Sequence, residues 1–118
     1  MNNTPTLNHA IQADCLAAMD LLPDASVDLL LCDLPYGVTK NKFDCVIPPE
    51  ELWPRYKRIC KPNAAIILFG QDKFTARMML SKPDWHRYNL IWDKVLVTGF
   101  LNANRQPLRS HEDIMVFY

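Results

Sequence analysis

Apolar residues in this chain gather into short unbroken runs, separated by stretches with helical spacing. The run Val27 to Cys32 (Val-Asp-Leu-Leu-Leu-Cys) lacks clean alternation, which predicts a strand buried on both faces, as in a parallel sheet. Ala64 to Phe69 is a second such run, ending at Gly70. Tyr88 to Trp92 is a third, leading into Asp93 and Lys94. A short strand is predicted over 9–13 and a final one over 114–118. Between them the spacing turns helical. Asp14 suits an N-cap before Leu16, Met19 and Leu22. Pro48-Pro49 opens a stretch with Glu50 and Glu51 in its first turn and Leu52, Tyr56 and Ile59 on one face. Pro54 should start that helix late or kink it, and Lys61-Pro62-Asn63 should close it. Phe74, Met78 and Met79 mark the inward side of a helix over 71–80. Strands alternating with helices predict a mixed or parallel α/β domain, with 27–32 and 64–69 at its centre.

The exit from the first buried run carries the chemistry. Asp33-Leu34-Pro35-Tyr36-Gly37 follows Cys32 directly. Pro35 fixes its own φ and Gly37 permits a positive one, so the chain turns sharply. In open α/β sheets, ligands bind at the carboxyl ends of strands. Asp33 and the Leu34 carbonyl are hydrogen-bond acceptors, suited to holding the protons of an amino group. Tyr36 offers an aromatic face. The same residues also make an ordinary strand-to-turn junction. The loop after them, Val38 to Ile47, is long for a compact domain. Its Lys40 and Lys42 are candidates for phosphate contacts. Phe43 reads first as an anchor for the loop and second as a wedge.

Composition narrows the class. The 118 residues, 49% hydrophobic and 22% charged, make one ordinary globular domain. No apolar run reaches the length of a membrane span, and residues 1–8 carry no secretory pattern. Cysteines 15, 32, 45 and 60 form no metal-binding spacing and read as core thiols of a reducing cytoplasm; no metal site is expected. Net charge is zero but unevenly spread. Residues 1–54 hold two lysines against eight acids, and residues 55–118 hold eleven basic residues against five acids. Phosphate contacts should therefore concentrate in the second half. The polar stretch 95–110, with Asn102, Asn104, Arg105, Gln106 and Arg109, has side chains that read phosphates and base edges, or that simply face solvent.

Asp33-Leu34-Pro35-Tyr36 resembles the Asp-Pro-Pro-Tyr motif of amino-group DNA methyltransferases, and the chain resembles the phage and bacterial N-4/N-6 DNA methylases that carry it near the amino terminus. The likeness extends over 8–14, 33–44, 52–61 and 91–118, and spans about the first half of a usual family member. It departs at Leu34, where the family has proline. The backbone carbonyl survives that change and the rigid φ does not. The resemblance implies a Rossmann-like, S-adenosylmethionine-dependent fold, incomplete and in circularly permuted order, with residues from about 95 leading into DNA recognition. It implies catalytic roles for Asp33, Leu34, Pro35 and Tyr36 on a base flipped out of double-stranded DNA. Asp14 and Asp33 would lie near the cofactor, and Lys40, Lys42, Lys94, Asn102, Arg105 and Arg109 near DNA. An Asp at the first motif position implies adenine N6 rather than cytosine N4.

The chain has three glycines, Gly37, Gly70 and Gly99, and no two form a glycine-rich cofactor loop. Methyltransferases with the related Asn/Asp-Pro-Pro-Tyr motif that act on protein or RNA place that loop upstream, where this chain has no glycine. The permuted DNA methylases place it downstream. The expectation is a catalytic half, silent alone, completed by a carboxyl-terminal half or a homodimer partner. Its final strand should end as an unpaired edge at Phe117-Tyr118. The alternative is a non-catalytic DNA-binding remnant that keeps the base-binding side.

Overall fold

The computed structural model describes residues 7–42, 44–98, 104, 105, 107 and 109–118. Its elements follow in the order α1 (Cys15–Asp20), β1 (Val27–Cys32), α2 (Pro49–Ile59), β2 (Cys60–Gly70), α3 (Asp72–Ser81), β3 (His86–Thr98) and β4 (Arg109–Phe117). They build an α/β domain on one mixed sheet of order β1-β2-β4-β3. β1 and β2 are parallel, while β4 runs antiparallel to both β2 and β3.

Register assigns every strand residue to a face. Leu30, Ile66, Leu68, Met115 and Phe117 share one face, and on it lie Leu52, Trp53, Tyr56 and Ile59 of α2 with Phe74 and Met78 of α3. Leu68, Met78, Met115 and Phe117 are fully buried there. Each such side chain contributes on the order of 1.5–3 kcal/mol by leaving water. The opposite face carries Leu29 and Leu31, then Ala65, Ile67 and Phe69, then Ile114 and Val116, then Tyr88, Leu90 and Trp92. Among the described residues no helix covers it. Leu29 and Leu31 stay 56% and 61% exposed, and Leu90 52%.

Several sequence expectations are corrected. Residues 9–13 form no strand: all five are exposed, and Asn8 sits at φ 56°, which turns the chain before them. Strand 27–32 is an edge, not a centre, and is covered on one face only. The central place beside β2 goes to β4, whose Met115, Val116 and Phe117 are all buried. The final strand is therefore interior, with Phe117 paired to both Ile66 and His86, rather than an exposed edge. α2 ends at Ile59, before Lys61-Pro62-Asn63, which belong to β2. Cys60 pairs with Val27 and Ala65 with Leu29, so these residues form a bulge within β2. Pro54 does not delay the start of α2, which runs from Pro49 with Pro54 inside it and exposed. The Arg55 guanidinium donates to the Glu51 carbonyl at 2.9 Å in that turn. The loop expected from Val95 begins later, because β3 continues to Thr98 through an irregularity where Val95 takes φ 66°.

Candidate active site

β1 delivers its exit at the same end of the sheet where β2 finishes and β4 begins its pairing with it, since Cys32 pairs with Leu68 and Gly70 with Asp113. Asp33 follows Cys32 and is exposed, whereas the Leu34 side chain turns into the core. That buried leucine pins the turn on the inside. Tyr36 packs its ring on Phe74 of α3, with centroids 4.9 Å apart. Gly37 adopts φ 75°, and a Cβ there would meet Val46 Cγ2 at 2.6 Å. Only glycine fits both constraints.

The loop beyond is held by one carboxylate. Asp44 accepts from the amides of Gly37 at 2.8 Å, Val38 at 2.9 Å and Thr39 at 2.6 Å. These amide donors, Gly37 first, lower its pKa from the ordinary 3.8 to about 2. Its folded value is depressed, so its contribution is complete above the ordinary value and is lost as pH falls toward about 2. The amide resonances of Gly37, Val38 and Thr39 should therefore move together toward random-coil positions between pH of about 4 and 2. Asp44→Ala should produce the same displacement at neutral pH. Amide shifts indifferent to both changes would contradict this clasp.

Asp33, Leu34, Pro35, Tyr36, Val38, Thr39 and Asp44 line an open cleft of about 400 Å3. Behind it lies a network that joins the turn after β1 and the start of α3 to β3 and β4. The Tyr36 hydroxyl lies 3.1 Å from Asp33 Oδ1 and 3.3 Å from Glu112 Oε2. The other oxygen of Glu112, Oε1, receives Gln71 Nε2 at 3.1 Å and Lys94 Nζ at 2.9 Å. Burial, with the charges of Asp33 and Glu112 adding to it, holds the Tyr36 proton far above the usual phenol range. Tyr36 is thus a hydrogen-bond donor at any physiological pH, and the carboxylate of Asp33 is an acceptor at the cleft wall.

No protein-family model matches this chain. The other expected residues distribute as follows. Asp14 caps α1, its carboxylate accepting from the Ala17 amide at 3.1 Å, and it is not among the cleft residues. Lys40 and Lys42 are exposed on the loop that Asp44 clasps. Lys94 is held by Glu112 and lies over the Trp92 ring. Arg105 is exposed in a turn. Arg109 opens β4, while its side chain, Asn102 and Phe43 lie outside the described residues. Among the described residues no cluster of His, Cys, Asp and Glu is arranged for a metal ion, and no helix is long and apolar enough to cross a membrane.

Sequence reading passed over Gln71, Glu112 and the clasping role of Asp44. Gln71 follows Gly70 at the end of a buried run, which is a usable signal. Glu112 had none, because its place depends on the pairing of β4. Gly70 is accounted for by packing: a Cβ there would meet Thr75 Oγ1 at 2.6 Å and Met115 Cε at 2.7 Å. The two described glycines thus serve the chain's own close contacts.

Proposed function

We propose that this chain is the base-holding half of a Rossmann-like, S-adenosylmethionine-dependent DNA methyltransferase in permuted order, acting on an exocyclic amino group, adenine N6 first. The observation that carries the reading is Asp33, an exposed carboxylate at the carboxyl end of β1, beside a tyrosine in an open cleft. An amino group needs acceptors for its two protons so that the nitrogen lone pair can face the methyl donor. Asp33 and the Leu34 carbonyl are the acceptors in this reading. Tyr36, backed by Phe74, is the ring on which the flipped base stacks. Exposed Lys40, Lys42 and Arg105, together with Asn102 and Arg109, are the proposed DNA contacts. Lys94 is set apart from them by its pairing with Glu112.

The chain's own residues do not fit the methyl donor. Gly37 and Gly70 are committed to internal packing and Asp14 to a helix cap. We place the donor site on polypeptide that docks against β1 and the uncovered sheet face, either a carboxyl-terminal half or a second copy. Support comes from the exposed apolar row of Leu29, Leu31, Tyr88, Leu90 and Trp92. Exposed apolar patches mark surfaces that another polypeptide covers.

Three measurements test the reading. This chain should bind a duplex with an extrahelical adenine about tenfold more tightly than the same duplex with purine, which lacks the amino group. Equal affinity would refute the base-holding role. Incubated alone with DNA and methyl-labelled S-adenosylmethionine, it should transfer no label, and transfer would refute the incompleteness. Nucleosides from DNA methylated by the completed enzyme should contain N6-methyladenine; N4-methylcytosine alone would refute the choice of base.

A further inference from the structure

A phenol has one proton, and Tyr36 has two carboxylate oxygens within reach of it, Asp33 Oδ1 at 3.1 Å and Glu112 Oε2 at 3.3 Å. It can make one good hydrogen bond at a time. The two acceptors differ in surroundings. Asp33 is exposed at the cleft. Glu112 has a side chain only 12% exposed and is held in place by Gln71 and Lys94, both on Oε1, which leaves Oε2 toward the phenol. The Lys94 ammonium also balances the charge of Glu112.

We propose that the Tyr36 hydroxyl is a two-way donor with Glu112 as its positioning residue: in the empty cleft the proton is shared with Asp33, and it turns to Glu112 when Asp33 accepts an amino group. The ligand class, a primary amino group on a planar heterocycle, rests on the function proposed above; the turning of the hydroxyl does not. The consequence is selectivity. Without Glu112 the phenol would compete with the ligand for the Asp33 carboxylate, and leaving it unpaired next to Phe74 would be costly. With Glu112 present, Asp33 is released at little cost. Glu112 and Lys94 then act on binding without touching the ligand, through the orientation of one O–H bond.

The test has two arms on the full chain. In the first, without ligand, the Glu112 side-chain carboxyl is followed by 13C NMR. Asp33→Ala should shift that resonance, because the phenol proton then rests on Glu112 alone, and the shift should vanish when Tyr36→Phe is added. A Glu112 signal indifferent to Asp33→Ala overturns the proposal. In the second arm, the probe is the duplex with an extrahelical adenine. Glu112→Ala should weaken its binding about fivefold to tenfold. In the Tyr36→Phe background the same change should have no effect, because nothing then competes for Asp33. Glu112→Gln, which keeps an acceptor oxygen, should restore most of the affinity. Equal losses in both backgrounds would mark Glu112 as merely structural and overturn the proposal. If the unaltered chain fails to separate adenine from purine, the proposed function falls, and the first arm still decides the hydroxyl.

Discussion

Asp33→Ala should lower affinity for an extrahelical adenine about tenfold, to the level of the purine control, which should itself be unchanged. A hydrogen bond to a charged acceptor contributes about 1.5–3 kcal/mol, and Asp33 is the carboxylate through which the cleft is read as meeting an amino group. The fold should be indifferent to the change. Asp33 is exposed, lies beyond the last paired residue of β1, and shares the Tyr36 hydroxyl with Glu112, which remains. Competition binding with the two duplexes, beside a thermal melt of each protein, separates the alternatives. A variant that loses adenine and purine binding equally has lost the cleft's shape, and the role given to Asp33 would be wrong. A variant that loses neither would remove the amino-group reading altogether.

Phe117→Ala should destabilise the domain by about 3–5 kcal/mol, the range for emptying a large buried aromatic position. Phe117 is fully buried, with its ring 4.8 Å from Trp53 and 5.4 Å from His86, and it pairs across β4 to Ile66 on one side and His86 on the other. Removing it opens a cavity between α2 and the sheet at a point where two strand pairings meet. Leu29→Ala is the control. Leu29 is of similar chemistry but lies on the uncovered face, and its truncation should cost a small fraction of that amount. Urea unfolding of the three proteins measures both. Comparable midpoints for the two variants would contradict the division of the sheet into a covered and an uncovered face.

What the sequence made legible was local. The strand Val27–Cys32, its exit at Asp33, the cap at Asp14 and the span of α3 all follow from a few adjacent residues, and their types are sufficient to specify them. What it hid depends on partners distant in the chain. Unbroken hydrophobicity made 27–32 look central, yet position in a sheet is decided by which strand takes the neighbouring slot, and β4 took the one beside β2. The same pairing moved Phe117 from an imagined edge to the core and brought Glu112 beside Tyr36, across 76 residues of sequence. Residues 9–13 have strand-like composition, but a strand needs a neighbour to satisfy its backbone, and among the described residues they have none. Of the candidate site, the turn and its acid were legible and the group that orients the tyrosine was not.

The placement of β4 also sets the order in which the domain can assemble. β3 joins the sheet only through β4, while β1 and β2 can pair as soon as α2 has folded across them. Residues 71–108 must be looped out before Gly70 meets Asp113, and that closure precedes any gain from the central pairing. Non-local pairings of this kind make folding slow. Until residues 109–117 have left the ribosome, the nascent chain presents Ile66 and Leu68 with one flank open. Over that interval the unpaired flank of β2 is the part of the nascent chain open to aggregation.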